Sequence, residues 1–310
     1  FSVTNSDLFQ VVNLGTSQKS IGTISITNNQ ALNITGNLFA SGAVTLSGAS
    51  ITLGNNVTTS GTITITNRDL LTISSGTWNT GSLTQTGLGN VFLGGNITTT
   101  GLMSFAGPVT LTSNTSLTGK GGITFLSSIV PKTTDVTLTL DAFTSTLKIA
   151  NLGSDESHVG ALNITAAKSL DLQGNLLTNS SLTIPCPITL SGTSTKIQGS
   201  GIDFKGAVTV PSTNFNLILD AGPGLLNIST LATSKCPLAS LSLQGSSLSL
   251  GGGIYTNGPI GFDGPVSIGA ASTLQGSEIH LKNAKSILTK KIEKRNFALP
   301  MGILPSIAYQ

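Results

Sequence analysis

The chain has 310 residues, of which only 9% are charged, and its formal net charge is +3. An average soluble protein has about 25% charged residues, so we expect outer faces built from Thr, Ser and Asn. Much of the positive charge comes from Lys285, Lys290, Lys291, Lys294 and Arg295. The rest of the chain has no stripe of Lys and Arg that could pair with phosphates, and no apolar run of about 18 residues. We therefore expect neither nucleic-acid binding nor a membrane span.

One motif returns along the chain at a fixed interval. It reads LGNNVTTSG from Leu53, LGGNITTTG from Leu93, LQGNLLTNS from Leu172 and LGGGIYTNG from Leu250, with starts 40, 79 and 78 residues apart. FAGPVTL, IPCPITL and FDGPVSI keep the same interval, and so do LTLDA and LILDA. GTISITNNQALNIT reappears after 39 residues as GTITITNRDLLTIS. The basic repeat is therefore about 20 residues long, which is typical of a protein built from stacked repeats.

The repeats predict strands, because short runs such as TITIT and TLTL alternate in polarity and end at Gly, Asn or Pro. Three short strands and three corners in 20 residues make one coil of a parallel β-helix. We therefore predict an all-β solenoid of about 15 coils, with inward ladders of Leu, Ile, Val and Phe. Glycine tolerates the positive φ that corners can require, so the predicted corner glycines are Gly54, Gly94, Gly174 and Gly252.

The two ends depart from the repeat pattern. We expect residues 1–21 to form an N-terminal cap or first coil, residues 22–284 the solenoid, and residues 285–310 a C-terminal cap or a tail that docks onto another subunit. The sequence has no initiating Met and no signal peptide, so we expect a mature chain or a fragment. The apolar residues that would cover an open strand edge, or dock, are Phe297, Leu299, Met301, Ile303, Leu304, Ile307 and Tyr309.

The two cysteines predict neither a disulfide nor a zinc site. Cys186 and Cys236 are 50 residues, or two and a half coils, apart, which is a poor spacing for an internal disulfide. There is no CxxC pair and no adjacent histidine, so zinc binding is not expected. Cys186 stands where related repeats have a corner glycine, and we expect a thiol that is partly exposed or buried at a corner.

The carboxylates give little support for catalysis. Asp141 and Asp220 share a repeat position but lie four coils apart, and a strict period of 20 would place Asp203 and Asp263 three coils apart in one column. Both pairs are too distant for the two carboxyls of a glycosidase. One charged loop contains Asp155, Glu156 and His158. We expect an ordinary surface loop there, and a surface His280 beside Glu278. We predict no catalytic residues, no metal ligands and no cofactor.

The repeats resemble those of bacterial filamentous haemagglutinin adhesins. The runs that carry the resemblance are GNNVTTSGTITIT, LGGNITTTGLMSFAGPVTLTSNTSLTG and SLDLQGNLLTNSSLTIPCPITLSG, and it covers roughly residues 22–283. The resemblance implies a right-handed, extracellular β-helix without enzymatic activity. Some adhesins of this kind are glycosylated at N-x-S/T sequons, so the resemblance makes glycosylation a hypothesis for this chain. Its sequons stand at Asn33, Asn56, Asn96, Asn114, Asn163, Asn179 and Asn227. The alternative is that these asparagines serve only in corners and ladders.

Three functional hypotheses remain. The first is a surface adhesin shaft whose partners are glycans or proteins of host cells or other bacteria. The second is a subunit that assembles with itself into an extracellular fibre or sheath. The third is a β-helical enzyme that cleaves glycans, which would need a cluster of carboxylates in a groove.

Overall fold

The computed structural model describes residues 1–73, 75–269, 272–283 and 287–288. These residues form a parallel β-solenoid of about 14 turns with about 20 residues per turn, and none of them is helical. This confirms the predicted fold class. The chain divides into two compact units, residues 1–168 (unit 1) and residues 169–310 (unit 2), which are described separately below. The described part of the chain accordingly contains no helix that could cross a membrane.

Unit 1 contains seventeen strands: β1 (Ser2–Asn5), β2 (Phe9–Val11), β3 (Ile24–Asn28), β4 (Leu32–Ile34), β5 (Leu38–Ala40), β6 (Val44–Leu53), β7 (Val57–Thr59), β8 (Thr62–Ile73), β9 (Thr77–Thr80), β10 (Ser82–Gln85), β11 (Asn90–Thr99), β12 (Met103–Phe105), β13 (Val109–Gly119), β14 (Ile123–Pro131), β15 (Thr137–Asp141), β16 (Thr146–Leu152) and β17 (Ala161–Ala166). Each strand pairs in parallel with its equivalent in a neighbouring coil. Alternate residues therefore point inward and stack, because side chains alternate between the two faces of a strand.

The core of unit 1 is built from these inward columns. One column, formed by directly paired and fully buried residues, consists of Ile24, Val44, Ile63, Leu83, Met103, Ile123 and Leu147. Larger side chains occupy positions in other inward columns. The rings of Phe105 and Phe125 stack with centroids 5.3 Å apart. The buried Trp78 Nε1–H donates to the Asn55 carbonyl over 3.1 Å, so its polar group does not remain unpaired.

The asparagine of the repeated motif makes hydrogen bonds between neighbouring coils. In unit 1 the Asn37 N–H donates to Asn13 Oδ1 (2.7 Å), the Asn56 N–H to Asn37 Oδ1 (3.3 Å) and the Thr77 N–H to Asn56 Oδ1 (2.8 Å). Each side-chain carbonyl thus accepts a corner N–H of the following coil. We call this series the asparagine corner. It satisfies backbone groups that the strand ladders leave free.

The threonine of the same motif supports the next corner. Thr59 Oγ1 donates to the Gly42 carbonyl (2.6 Å) and accepts from the Gly61 N–H (3.1 Å). The Thr99 hydroxyl donates to the Gly101 carbonyl over 2.8 Å. Both threonines are buried. The repeated threonine therefore provides hydrogen-bond partners for backbone groups at the corners. This matters because a buried carbonyl without a partner is costly.

The asparagine corner can be tested at Asn56. Asn56→Ala removes the acceptor for the Thr77 N–H, so we expect a loss of about 1 kcal/mol in the free energy of unfolding. The matched control is Thr58→Ala, on an exposed position of β7. Both changes destroy the same sequon, but only the first removes the corner hydrogen bond. Urea unfolding followed by circular dichroism measures the difference, and equal stabilities would argue against the role of Asn56.

Unit 2 contains the remaining strands: β18 (Ser169–Leu172), β19 (Leu176–Leu177), β20 (Leu182–Ile184), β21 (Ile188–Leu190), β22 (Ser194–Gln198), β23 (Ile202–Phe204), β24 (Val208–Thr209), β25 (Asn216–Asp220), β26 (Leu225–Ile228), β27 (Ser240–Gln244), β28 (Ser247–Leu250), β29 (Ile254–Tyr255), β30 (Ile260–Asp263), β31 (Val266–Ile268), β32 (Leu274–Gln275), β33 (Ile279–Lys282) and β34 (Ile287–Leu288). Strands β20, β23, β26, β28, β31 and β34 follow one another in a six-stranded parallel sheet. A second ladder joins β22, β25, β27, β30 and β33.

Coil length varies in unit 2. The step from Ile202 to its partner Leu226 is 24 residues, the step from Leu226 to Leu248 is 22, and the step from Leu248 to Val266 is only 18. The extra residues lie in corners, where they do not disturb strand pairing. The strict period of 20 therefore predicts the fold but not every register.

Candidate functional site

Asp141 and Asp220, the acidic residues of the LTLDA and LILDA repeats, both form corners. The Phe143 N–H donates to Asp141 Oδ1 and the Gly222 N–H to Asp220 Oδ1, each over 2.9 Å. The residue that closes each turn is left-handed, with φ of 51° at Phe143 and 50° at Gly222. Side-chain to backbone bonds of this kind stabilise a turn locally. These two carboxylates therefore have a structural role.

The expected register of Asp203 and Asp263 is wrong. Asp203 pairs with Asn227, which pairs with Ser249 and then with Ser267, so Ser267 occupies the position three coils on. Asp263 lies on β30, in the ladder that contains Asp220 two coils earlier. The physical reason is the unequal coil length described above, because each long corner shifts the residues that follow it.

Acidic side chains of unit 2 bind polar residues of the following coil. Asp203 Oδ1 accepts from Asn227 Nδ2 (2.9 Å), and its other oxygen lies 2.5 Å from Lys205 Nζ. Asp263 Oδ1 accepts from Asn283 Nδ2 (2.8 Å), and Lys282 Nζ lies 3.3 Å from its other oxygen. The hydrogen bond from Asn283, and then Lys282, lower the pKa of Asp263. A glycosidase acid needs a raised pKa, so Asp263 is unsuited to that role.

The charged loop is a tight turn in unit 1. Backbone bonds between Ser154 and Ser157, of 2.9 and 3.0 Å, close it and leave Asp155 and Glu156 exposed at its tip, with His158 half-buried. In unit 2, His280 Nε2 lies 3.0 Å from Glu278 Oε2, and both side chains are more than half exposed. Within the described ranges, no three or more His, Cys, Asp or Glu residues are grouped so that they could hold a metal ion.

The sequon asparagines occupy several environments. Asn56 and Asn114 accept backbone N–H groups from the next coil, and Asn227 donates to Asp203. These three side chains are engaged in contacts between coils. Corner contacts thus account for part of the set, while glycosylation stays a prediction for all seven.

The four predicted corner glycines have different surroundings. None of them has a left-handed φ, although Gly95, next to Gly94, has a φ of 84°. A Cβ on Gly54 would lie 2.6 Å from the Thr35 carbonyl oxygen, and one on Gly252 would collide with the Ser229 carbonyl. Gly174 lies at the bend before β19. Glycine is needed at positions 54 and 252 because the backbone of the preceding coil approaches closely, and not because the backbone conformation is left-handed.

The two cysteines are free thiols, as expected, and they differ in burial. Cys186 lies at the corner between β20 and β21 with only 3% of its surface exposed, and burial raises the pKa of its thiol. Cys236 is half-buried.

We expect the two thiols to differ in reactivity, because the thiolate is the reactive form and must be accessible. Ellman's reagent added to the native protein should modify Cys236 quickly and Cys186 only after unfolding. Cys236→Ser should abolish the fast phase, whereas Cys186→Ser should retain it. Two equally fast thiols in the native protein would contradict the burial of Cys186.

The proposed docking residues Phe297, Leu299, Met301, Ile303, Leu304, Ile307 and Tyr309 lie outside the described residues. The same is true of the basic residues Lys285, Lys290, Lys291, Lys294 and Arg295. The docking role of the tail therefore stays a prediction.

One surface feature was not predicted from the sequence. An open groove of about 570 Å³ crosses the outer face of β20, β23, β26 and β28 in unit 2. Two adjacent columns line it. The first contains Ser181, Gly201, Leu225 and Ser247, and the second contains Thr183, Asp203, Asn227 and Ser249. Strand alternation places the second column outside, but the sequence alone does not show that the first column has a gap.

The chain matches no protein-family model, no curated protein and no solved structure. The resemblance to filamentous haemagglutinin repeats consequently rests on the repeat pattern, and the structure supports its solenoid fold.

Proposed function

We propose that this chain is the β-solenoid shaft of an extracellular bacterial surface adhesin and that it has no catalytic activity. Its partners would be glycans or proteins on host cells or on other bacteria. The observation that carries the proposal is the way neighbouring coils are joined. Strand ladders, the asparagine corner and the carboxylate contacts link one coil to the next. Such a construction suits a protein that holds a fixed shape outside the cell.

The carboxylates support a non-enzymatic role. Asp141 and Asp220 close turns, and Asp203 and Asp263 each bind an asparagine and a lysine. Asp220 and Asp263 lie two coils apart in one column, at about 10 Å by strand spacing. The hydrogen bond from Asn283, and then Lys282, lower the pKa of Asp263, whereas a general acid for a leaving group needs a raised pKa.

The proposal can be tested by displaying the chain on a non-adherent bacterium through an outer-membrane carrier. We expect attachment to epithelial cells or to other bacteria at several times the level of the carrier alone. A displayed variant with a disrupted core, Leu172→Asp, is the control for dependence on the fold. Attachment no greater than that of the carrier on every surface tested would refute the adhesin role. Release of new reducing ends from polysaccharides would refute the absence of catalysis.

A self-assembling fibre or sheath is the second candidate. Only 9% of the residues are charged, so the outer faces of neighbouring molecules would repel one another only weakly. Faces of this kind could pack against a second copy of the chain. The test is electron microscopy across a concentration series. Filaments that vanish when Phe297–Gln310 is deleted would favour this function, and isolated particles at all concentrations would exclude it.

A further inference from the structure

The groove in unit 2 is lined in part by Gly201, which has no side chain. In its column, Gly201 stands between Ser181 and Leu225, immediately before β23. Leu225 projects with 66% of its surface exposed and forms an apolar wall beside this gap. Gly201 therefore forms the floor of the groove.

The fold does not require glycine at this position. A Cβ on Gly201 would lie 3.5 Å from Ser181 Cβ and 3.6 Å from the Leu225 carbonyl oxygen, which are ordinary contacts, and its φ is not left-handed. By contrast, a Cβ on Gly199 would lie 2.9 Å from the Ser180 carbonyl oxygen. Replacing a glycine by alanine, where the backbone conformation suits both residues, also stabilises a protein by about 0.4–1 kcal/mol. The gap at Gly201 is therefore retained although a side chain would fit.

The groups around this floor are mainly uncharged hydrogen-bonding groups. Hydroxyls come from Ser181, Thr183, Ser247 and Ser249, and an amide comes from Asn227. The one carboxylate, Asp203, is balanced by Lys205 at 2.5 Å. The groove thus combines a small apolar wall with many donors and acceptors and almost no net charge.

We propose that this groove binds an uncharged oligosaccharide, with one sugar ring over Gly201 against Leu225 and its hydroxyls bonded to Asp203 and Asn227. The four coils that line the groove follow one another at about 4.8 Å, so a linear glycan lying across the strands would meet hydroxyls at both ends and Asp203 and Asn227 between them. This inference rests on the proposed adhesin function and specifies its partner.

Other ligand classes fit less well. Strands β23 and β26 are paired on both sides, so a peptide cannot add as a further strand. Asp203 would repel a phosphate or an acidic sugar placed over the floor, and Lys205 is already bound to it. An uncharged ligand that offers hydroxyls avoids both problems.

The experiment places a side chain at Gly201, on the floor of the groove. Gly201→Val is compared with Gly261→Val, a matched control on β30 where a Cβ would meet only the Leu241 carbonyl oxygen, 3.9 Å away. A Cβ fits at both positions, and the loss of a glycine reduces the conformational entropy of the unfolded chain, so both variants should melt at or above the temperature of the wild type. Each purified protein is tested on an array of uncharged oligosaccharides of glucose, galactose, mannose and N-acetylhexosamines, and the best ligand is titrated by calorimetry.

We expect the wild type and Gly261→Val to bind with similar Kd values and Gly201→Val to bind at least tenfold more weakly. Equal binding by Gly201→Val and the wild type would overturn the proposal, as would a wild type that binds no uncharged glycan. Displayed cells separate this result from the adhesin role. If wild-type and Gly201→Val cells attach equally, the groove proposal fails and the adhesin role stands. If no cells attach but the purified protein binds glycan at Gly201, the adhesin role fails and the groove proposal stands.

Discussion

Replacing Gln85 by leucine should destabilise unit 1 by about 3 kcal/mol or more, although it places an apolar side chain in an apolar column. Gln85 is 1% exposed and stands between Ile65 and Phe105. Its Nε2 donates to Asn67 Oδ1 over 2.7 Å and also to the Gly87 carbonyl. Its Oε1 accepts from the Gly107 N–H over 3.0 Å. Leucine would remove the partner of three buried groups, which are Asn67 Oδ1, the Gly87 carbonyl and the Gly107 N–H.

The control for Gln85→Leu is Thr84→Leu, at the neighbouring outward position of β10. We expect this change to alter stability by no more than about 0.5 kcal/mol. Thermal and urea unfolding followed by circular dichroism give both values. If Gln85→Leu were as stable as Thr84→Leu, the hydrogen bonds of the Gln85 side chain would not stabilise this corner.

Replacing Leu172 by aspartate should cost about 5 kcal/mol or more. Leu172 is fully buried on β18 and pairs with Leu190 in the next coil. Loss of a buried leucine alone costs about 2–5 kcal/mol. The new carboxylate would also be buried without a partner. Because each coil of a repeat protein is stabilised chiefly by its neighbours, we expect the coils around β18 to unfold first.

Limited proteolysis and circular dichroism would measure this loss. The matched control is Ile218→Asp, an outward position of β25 that is 45% exposed and pairs with Lys196. It should be close to the wild type in melting temperature and in protease resistance. A wild-type melting temperature for Leu172→Asp would show that Leu172 does not face the core.

The sequence predicted the solenoid because its two main determinants are local. Alternation in runs such as Thr62–Thr66 defines which side chains point inward, and the interval between equivalent runs defines the coil. The asparagine corner was visible as a repeated residue, although its hydrogen bonds were not. Register in unit 2 could not be predicted in the same way, because the corners after Asp203 have unequal lengths that no strand pattern specifies.

Three features of the structure were not predicted from the sequence. Gln85 and Asn67 are 18 residues apart, and only the folded coils bring their side chains within 2.7 Å. Gly201 looks like any corner glycine in the sequence, and its significance lies in the free space around it. The left-handed φ of Phe143 was also missed, although the glycine at the equivalent position of the other repeat, Gly222, was a signal for it, because glycine adopts that conformation without strain.

The corner hydrogen bonds also bear on how such a chain can change length during evolution. Asn37 and Asn56 are bound head to tail, each accepting from the coil that follows. Unequal recombination between two equivalent points of the repeat would insert or remove whole coils while every junction kept a donor and an acceptor. Descendant genes could therefore encode longer or shorter solenoids in steps of one strand spacing, about 4.8 Å, without the need to evolve a new core.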